Sequence, residues 1–372
     1  MKRWMILCLP VLACILLCGC SRLIPAEYLQ IRAHSQGQNE SAQTSAVRVE
    51  DLTDLRRAIR NFVQSGVEHA VIRANAYDGD LKADINTAAY AISREDPLGA
   101  YAVDDINHRV SRFLSYYEIE LDIAFRRTLQ QIKDVEYVSF MSSHETQQRV
   151  CQAIDSGAES VAFHFARYTD RDFVQIVRDY YDANPTGVLE MPQVRVTSYP
   201  ETGISRVIEL EFAYQSSPTE LAAMRKAVED NLNAAAVYVR YRENEQERAQ
   251  LLFTYLKQRF AYQQGESHAP VYAFLCEGIA TSEAAAKSWQ ELCDRIGLTC
   301  YTVKGARGGA EYWWNIVRVE GQYRHVDVLS DLLGRGGLTL RLDGQMADCS
   351  WDKSQFPACS APPVEALNPT EE

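Results

Sequence analysis

An α+β chain is predicted, with a duplicated α/β region ahead of a larger mixed domain. Three observations carry that prediction. Helical apolar spacing at 50–63 and 81–92 alternates with strand-like spacing at 67–74 and along a long stretch at 113–125. The same order returns as helix at 147–154, strand at 160–165, helix at 172–181, and a hairpin at 193–214 broken by TSYPETG. Beyond residue 215 come long helices and then two strand patterns, AEYWWNIVRV and GQYRHVDV, joined by the turn Glu320-Gly321.

The first two observations superpose at an offset of 91 residues. Ser65-Gly66 then falls on Ser156-Gly157, Ile59 on Val150, Val63 on Ile154, and Glu118-Ile119-Glu120-Leu121 on Glu209-Leu210-Glu211-Phe212. This is the pattern of a tandem duplication, with repeats at 48–127 and 139–214. Two like faces packed together make a spacer or binding module. The region holds no catalytic constellation.

Length and charge bound the rest. A chain of 372 residues with 47% hydrophobic content buries sizeable cores, and two folded regions are expected. The net charge is −12, and removal of Lys2 and Arg3 with a leader takes it to −14. That balance excludes a nucleic-acid partner and gives no general attraction to anionic lipid, so membrane contact has to come from an anchor.

The N-terminus offers one. Lys2 and Arg3 precede an apolar run from Trp4 to Leu17, of signal-peptide length and too short to span a bilayer comfortably. It ends in Leu17-Cys18-Gly19-Cys20, which resembles the lipobox of bacterial lipoproteins, with a leucine at −3 and a small residue at −1. The resemblance implies a leader over 1–19, lipid (palmitate-type acyl chains) on Cys20, and a chain outside the cytoplasm on the outer face of the cell membrane or outer membrane. Residues 20–47, polar and aperiodic, read as a flexible tether.

The segment 215–362 begins with helical spacing at 218–237 and an apolar stripe at Ala249, Leu252, Phe253, Leu256 and Phe260. It continues as VYAFLCEGIATSEAAAKSWQELCDRIGLTCYTVKG and EYWWNIVRVEGQYRHVDV. These runs resemble the bacterial transglutaminase-like domain, a papain-like fold. Tyr272, Leu275, Gly278, Glu283, Ala286, Lys287, Trp289, Gln290, Leu292 and Gly297 match in the first run. In the second, Trp314, Asn315, Val317, Gly321, Tyr323, Val326 and Asp327 match. The tail with Met346, Trp351, Pro357 and Cys359 also resembles the family's ending, and residues 363–372 follow as a C-terminal tail.

The resemblance places Ser282 where the family keeps its nucleophilic cysteine and Tyr312 where it keeps its histidine, and it retains Asp327 as the third member. A thiolate is activated by a helix N-terminus and a nearby imidazolium, whereas a serine hydroxyl needs an adjacent base. Tyrosine, with an ordinary pKa near 10, is a poor base at neutral pH. The expectation is a degenerate triad and no metal or cofactor. Simpler roles stand beside that reading. Ser282 suits a helix cap, Tyr312 and Trp313 suit strand packing, and Asp327 suits hydrogen bonding to its surroundings.

Two rescues are weighed. The string CEGIA makes Cys276 resemble a nucleophile, but Ser282 keeps the family's fifteen-residue spacing to Gly297 and Cys276 does not. His325 lies two residues before Asp327 and shares its strand face. Cys349 with Cys359, and Cys293 with Cys300, are the pairs to test for disulfides, against free thiols. No metal-ligand spacing occurs. The function expected is binding or scaffolding of a cell-wall peptide, glycan or envelope protein, in a cleft lined by Trp313 and Trp314. The alternative is residual acyl transfer or hydrolysis at Ser282 or Cys276.

Overall fold

The computed structural model describes residues 46–138 and 143–360. The leader, Cys20, nearly all of the tether and the last residues of the chain lie outside the described residues.

The first unit opens with β1 (Val47–Val49) and α1 (Leu52–Ser65). Asp51 caps α1 by accepting the Asp54 amide, and Gly66 ends it in the left-handed region, φ 66°. Leu55, Ile59, Phe62 and Val63 form the buried stripe. Next come β2 (His69–Ala74), α2 (Leu81–Tyr90), a π-turn at Ala91–Glu95 and α3 (Pro97–Ala102). The hairpin β3 (Val103–Arg112) and β4 (Tyr117–Phe125), then α4 (Leu129–Lys133), complete the unit, whose sheet order is β1-β2-β4-β3. The stretch expected as one strand over 113–125 is corrected: only Tyr117–Phe125 is strand, and residues 113–116 are the turn of a hairpin whose first arm went unpredicted.

The second unit repeats the scheme. It runs β5 (Glu136–Val138), α5 (Ser143–Asp155), β6 (Ser160–Phe165), α6 (Phe173–Ala183), β7 (Gln193–Tyr199) and β8 (Arg206–Ala213), with sheet order β5-β6-β8-β7. Strands β2 and β6, and the matched segments of β4 and β8, sit 91 residues apart, and Gly157 has φ 67° where Gly66 has 66°. Strand β5 belongs to the sheet of this unit.

The units are packed into each other. Ala162 and Val207 of the second sheet join the core of the first unit, beside Tyr101 and Ala102 of α3. Arg127 lies 2.6 Å from the buried carboxylate of Glu209 and 5.1 Å over the Tyr101 ring, and Tyr199 donates to the same carboxylate at 3.2 Å. In the second unit the segment before the hairpin does for the next module what α3 does here. Leu189 enters the core of the third module, Glu190 accepts the amides of Gln215 and Ser216, and Thr186 donates to Glu291.

That third module begins with α7 (Pro218–Val239), capped by a Ser217–Glu220 capping box, and α8 (Glu245–Arg259). Strand β9 (Gln263–Gln264), helical turns over 270–277, β10 (Ile279–Ala280) and α9 (Ser282–Arg295) follow. The sheet is β11 (Cys300–Arg307), β12 (Ala310–Val319), β13 (Gln322–Val326) and β14 (Cys349–Ser350), in the order β13-β12-β11-β14, with α10 (Val328–Leu333) after β13. Alternation along β12 splits the core. Val317 and Val319 face the helices with Trp289 and Leu292, while Trp314 and Ile316 face Val303, Met346 and Cys359.

Removing one member of a buried ion pair strands the other charge, at a cost of about 3–5 kcal/mol. Arg127→Ala is expected to lower unfolding stability by about 3 kcal/mol in denaturant titration, and Arg127→Met with Glu209→Leu to regain much of it.

Candidate functional site

The site lies where the N-terminus of α9 meets the start of β12. Thr281 caps the helix by accepting the Ala284 amide at 3.1 Å, so the cap expected of Ser282 belongs to its neighbour. Ser282 is the first helical residue. The β12–β13 pairing stops at Asn315, and the Trp313 amide beyond it donates to Ser282 Oγ at 3.3 Å. Asn315, fully buried, ties the helix down further by donating to the Ala286 carbonyl at 2.9 Å.

Asp327 is buried and has three partners. Tyr312 donates its hydroxyl to the two carboxylate oxygens at 3.1 and 3.3 Å, Arg307 Nη1 lies 2.6 Å from Oδ2, and the Ser330 amide donates to Oδ1 at 3.0 Å, capping α10. The Arg307 guanidinium also lies 4.2 Å over the Tyr312 ring and 3.1 Å from Asp348. Gly305 stands opposite Tyr312 in the sheet, and a Cβ there would fall 2.6 Å from the Trp314 ring. The glycine makes room for that indole. Burial and the Asp327 charge push the Tyr312 phenol above its ordinary value, so it stays protonated. Arg307 was missed from sequence. Its signal is the Arg307-Gly308-Gly309 turn, which pairs Arg307 with Ala310 and so brings it diagonally to Tyr312.

No family model and no curated protein matches the chain. Among solved structures it is similar to a protein described as a TGase, at 10% identity and TM-score 0.27, covering 60% of this chain and 64% of that one. It is also similar to a candidate cysteine protease from Cytophaga hutchinsonii, at 10% identity and TM-score 0.24, over 43% and 70% of the two chains. A candidate protease from Parabacteroides distasonis gives 9% and 0.23, over 73% and 44%. The chain spans less than two thirds of the first of these proteins. The chemistry of the site rests on its own residues.

Trp313 and Trp314, expected to line one cleft, are both buried, and Trp313 alone of the two lines the cavity beside α9. Trp314 is 1% exposed, its ring is 5.6 Å from Trp351, and its Nε1–H donates to His325 Nδ1 at 3.0 Å. Trp313 is 9% exposed, donates to Glu311, and has the ammonium groups of Lys287 and Lys304 about its ring at 5.3 and 5.0 Å. Strand alternation places them on opposite faces, so they cannot form one stacking platform. Lys287 is buried between Asp182 and Glu283, 2.7 Å from each, with the Tyr181 ring 4.5 Å away. The second unit thus covers the α9 face beside Ser282, leaving a cavity of about 210 Å³ lined by Asp182, Pro185, Lys287, Gln290, Thr302 and Trp313.

Cys276 lies in the helical turn at 270–277, where Asn231 donates to its sulfur at 3.3 Å. Burial raises its pKa, opposite to what a nucleophile requires. The described cysteines are all free thiols, including both pairs considered for disulfides. Cys359, His325 and Asp343 sit together with their ligand atoms within 4.8 Å. Their arrangement is committed otherwise. Since Trp314 donates to Nδ1, the proton of a neutral His325 sits on Nε2 and goes to Asp343 at 2.8 Å, leaving no ring lone pair for a metal or for the thiol. Burial pushes the Cys359 thiol up to about 12.

His325 is buried, and desolvation lowers its pKa. Its stabilising contribution is complete above the unfolded-state value of about 6.5 and is lost as pH falls through the lower folded-state value. Thermal unfolding of the wild type is expected to weaken below about pH 6.5, with a shallower slope in His325→Gln.

Proposed function

We propose that this chain is a cell-envelope lipoprotein, anchored through Cys20 on the outer face of the cell membrane or outer membrane. Its transglutaminase-like domain, on this reading, binds or scaffolds a peptide or glycan without acyl transfer. The observation that carries the reading is the occupation of Asp327. In acyl-transfer triads a carboxylate orients an imidazole that takes the nucleophile's proton. Here the carboxylate faces an arginine and a protonated phenol, and Ser282 Oγ is held by a backbone amide. Among the described residues, the hydrogen-bond partner of Ser282 Oγ is that amide, which cannot take the serine proton. Trp313, but not Trp314, lines the small cavity between the second unit and α9, where Gln290 and Thr302 offer polar groups suited to a peptide or sugar fragment.

The competing reading, residual acyl transfer or hydrolysis, requires an imidazole within about 3 Å of Ser282 or Cys276. Neither residue has a histidine partner among the described residues, the partners being Trp313 and Asn231. Calorimetry with envelope peptide and glycan fragments tests the binding role. Heat of binding is expected with one class of fragment, and its absence with every class overturns the role.

Ser282 in the wild type is expected not to react with a fluorophosphonate, and Ser282→Cys is expected to release no ammonia from a glutamine peptide, because the substitution adds a thiol without adding a base. Turnover by either protein sinks the non-catalytic reading.

A further inference from the structure

Ser216, in the segment that leads into α7, is buried, and its hydroxyl oxygen lies 3.1 Å from His268 Nε2. Contacts between serine and imidazole are not all alike. Ser205 also meets a histidine, His164 Nε2 at 3.0 Å, but its single proton goes to the Phe165 carbonyl at 3.1 Å, so there the ring is the donor. Among the described residues Ser216 Oγ has His268 as its hydrogen-bond partner and no carbonyl in competition, which directs its proton to the imidazole.

The same serine is fixed from its backbone side. The buried carboxylate of Glu190 accepts the amides of Gln215 and Ser216, so the nucleophilic oxygen is held in place. His268 is exposed and can exchange protons with water. A hydroxyl and a base at hydrogen-bond distance are what serine nucleophilic chemistry requires.

Ser216 also borders space for a substrate. It lines two cavities, of about 490 and 240 Å³, which share Gly157, Tyr214, Ser216 and Pro218 as walls. Phe212 continues the larger one, and Ile154 and Leu221 continue the smaller, so an acyl chain finds apolar contact on either side of the hydroxyl. Pro218 is also the first residue of α7, and the positive end of that 22-residue helix favours negative charge developing on a carbonyl oxygen there.

We infer that Ser216 and His268 are a nucleophile and base that hydrolyse short-chain carboxylic esters. Ser216 Oγ bonds to the ester carbonyl carbon as its proton passes to His268 Nε2. The bond to the alcohol oxygen then breaks, the alcohol leaves with that proton, and the acyl group stays on the serine. Water adds to the acyl-serine, giving a proton to the same nitrogen, and the intermediate collapses to carboxylic acid while the proton returns to Ser216. Neither residue belongs to the Ser282 site, so the inference holds whether or not that site is silent.

The test uses the full chain with a fluorophosphonate probe and, separately, with p-nitrophenyl butyrate. Peptide mapping by mass spectrometry is expected to find the phosphonate on Ser216, and the ester is expected to be cleaved. Both reactions are expected to vanish in Ser216→Ala and to fall about a hundredfold in His268→Ala. Added imidazole is expected to restore part of the labelling of His268→Ala, which a packing role for the histidine would not give. Ser205→Ala is expected to react as the wild type does. The inference is overturned if Ser216 carries no phosphonate, if the ester is not cleaved, or if His268→Ala reacts as fast as the wild type. The first two outcomes are read on the wild type alone, so a variant that fails to fold leaves the inference open to refutation. An adduct on Ser282 instead would overturn this inference together with the silence of that site.

Discussion

A carboxylate held at 1% exposure must be neutralised or protonated, and the third module is built around the way Asp327 is satisfied. Arg307 reaches it from the end of β11, Tyr312 from the start of β12, and the Ser330 amide from the first turn of α10. Those three contacts fasten two strands and a helix to one point. The same contacts occupy the carboxylate, which has an arginine at 2.6 Å.

Much of this arrangement could be read from the chain, and the parts that could not share a reason. The duplicated spacing placed the main helices and strands of both units because apolar periodicity records which face is buried. Strand β3 escaped, since Asp104, Asp105, Asn107, Arg109 and Arg112 give it little alternation, and it survives as an edge paired only to β4. Strand β11 escaped as well, and with it the register that carries Arg307 to Asp327. The positions Ser282, Tyr312 and Asp327 came from a family resemblance rather than from a local pattern. Their partners depend on cross-strand pairing, which no local pattern encodes. Burial of Trp313 and Trp314 was hidden for the same reason, because two adjacent indoles point to opposite faces and only packing shows that both faces are filled.

Residue types and residue roles separate clearly in the cluster on the far face of the sheet. Cysteine, histidine and aspartate meet there within a few ångströms, yet one indole N–H fixes the histidine tautomer and sends its proton to Asp343. The thiol is left beside the imidazole without a lone pair to use. Chemistry follows from which nitrogen carries the hydrogen.

The segment before each hairpin leaves its own unit to pack on the next, α3 on the second sheet and Leu189 in the third module's core. Neighbouring modules therefore share interior: the second sheet lends Ala162 and Val207 to the first core, and the second unit lends Leu189 to the third. A cut placed between modules would expose apolar surface on both sides, so a boundary drawn from the repeat pattern is a poor place to divide the gene.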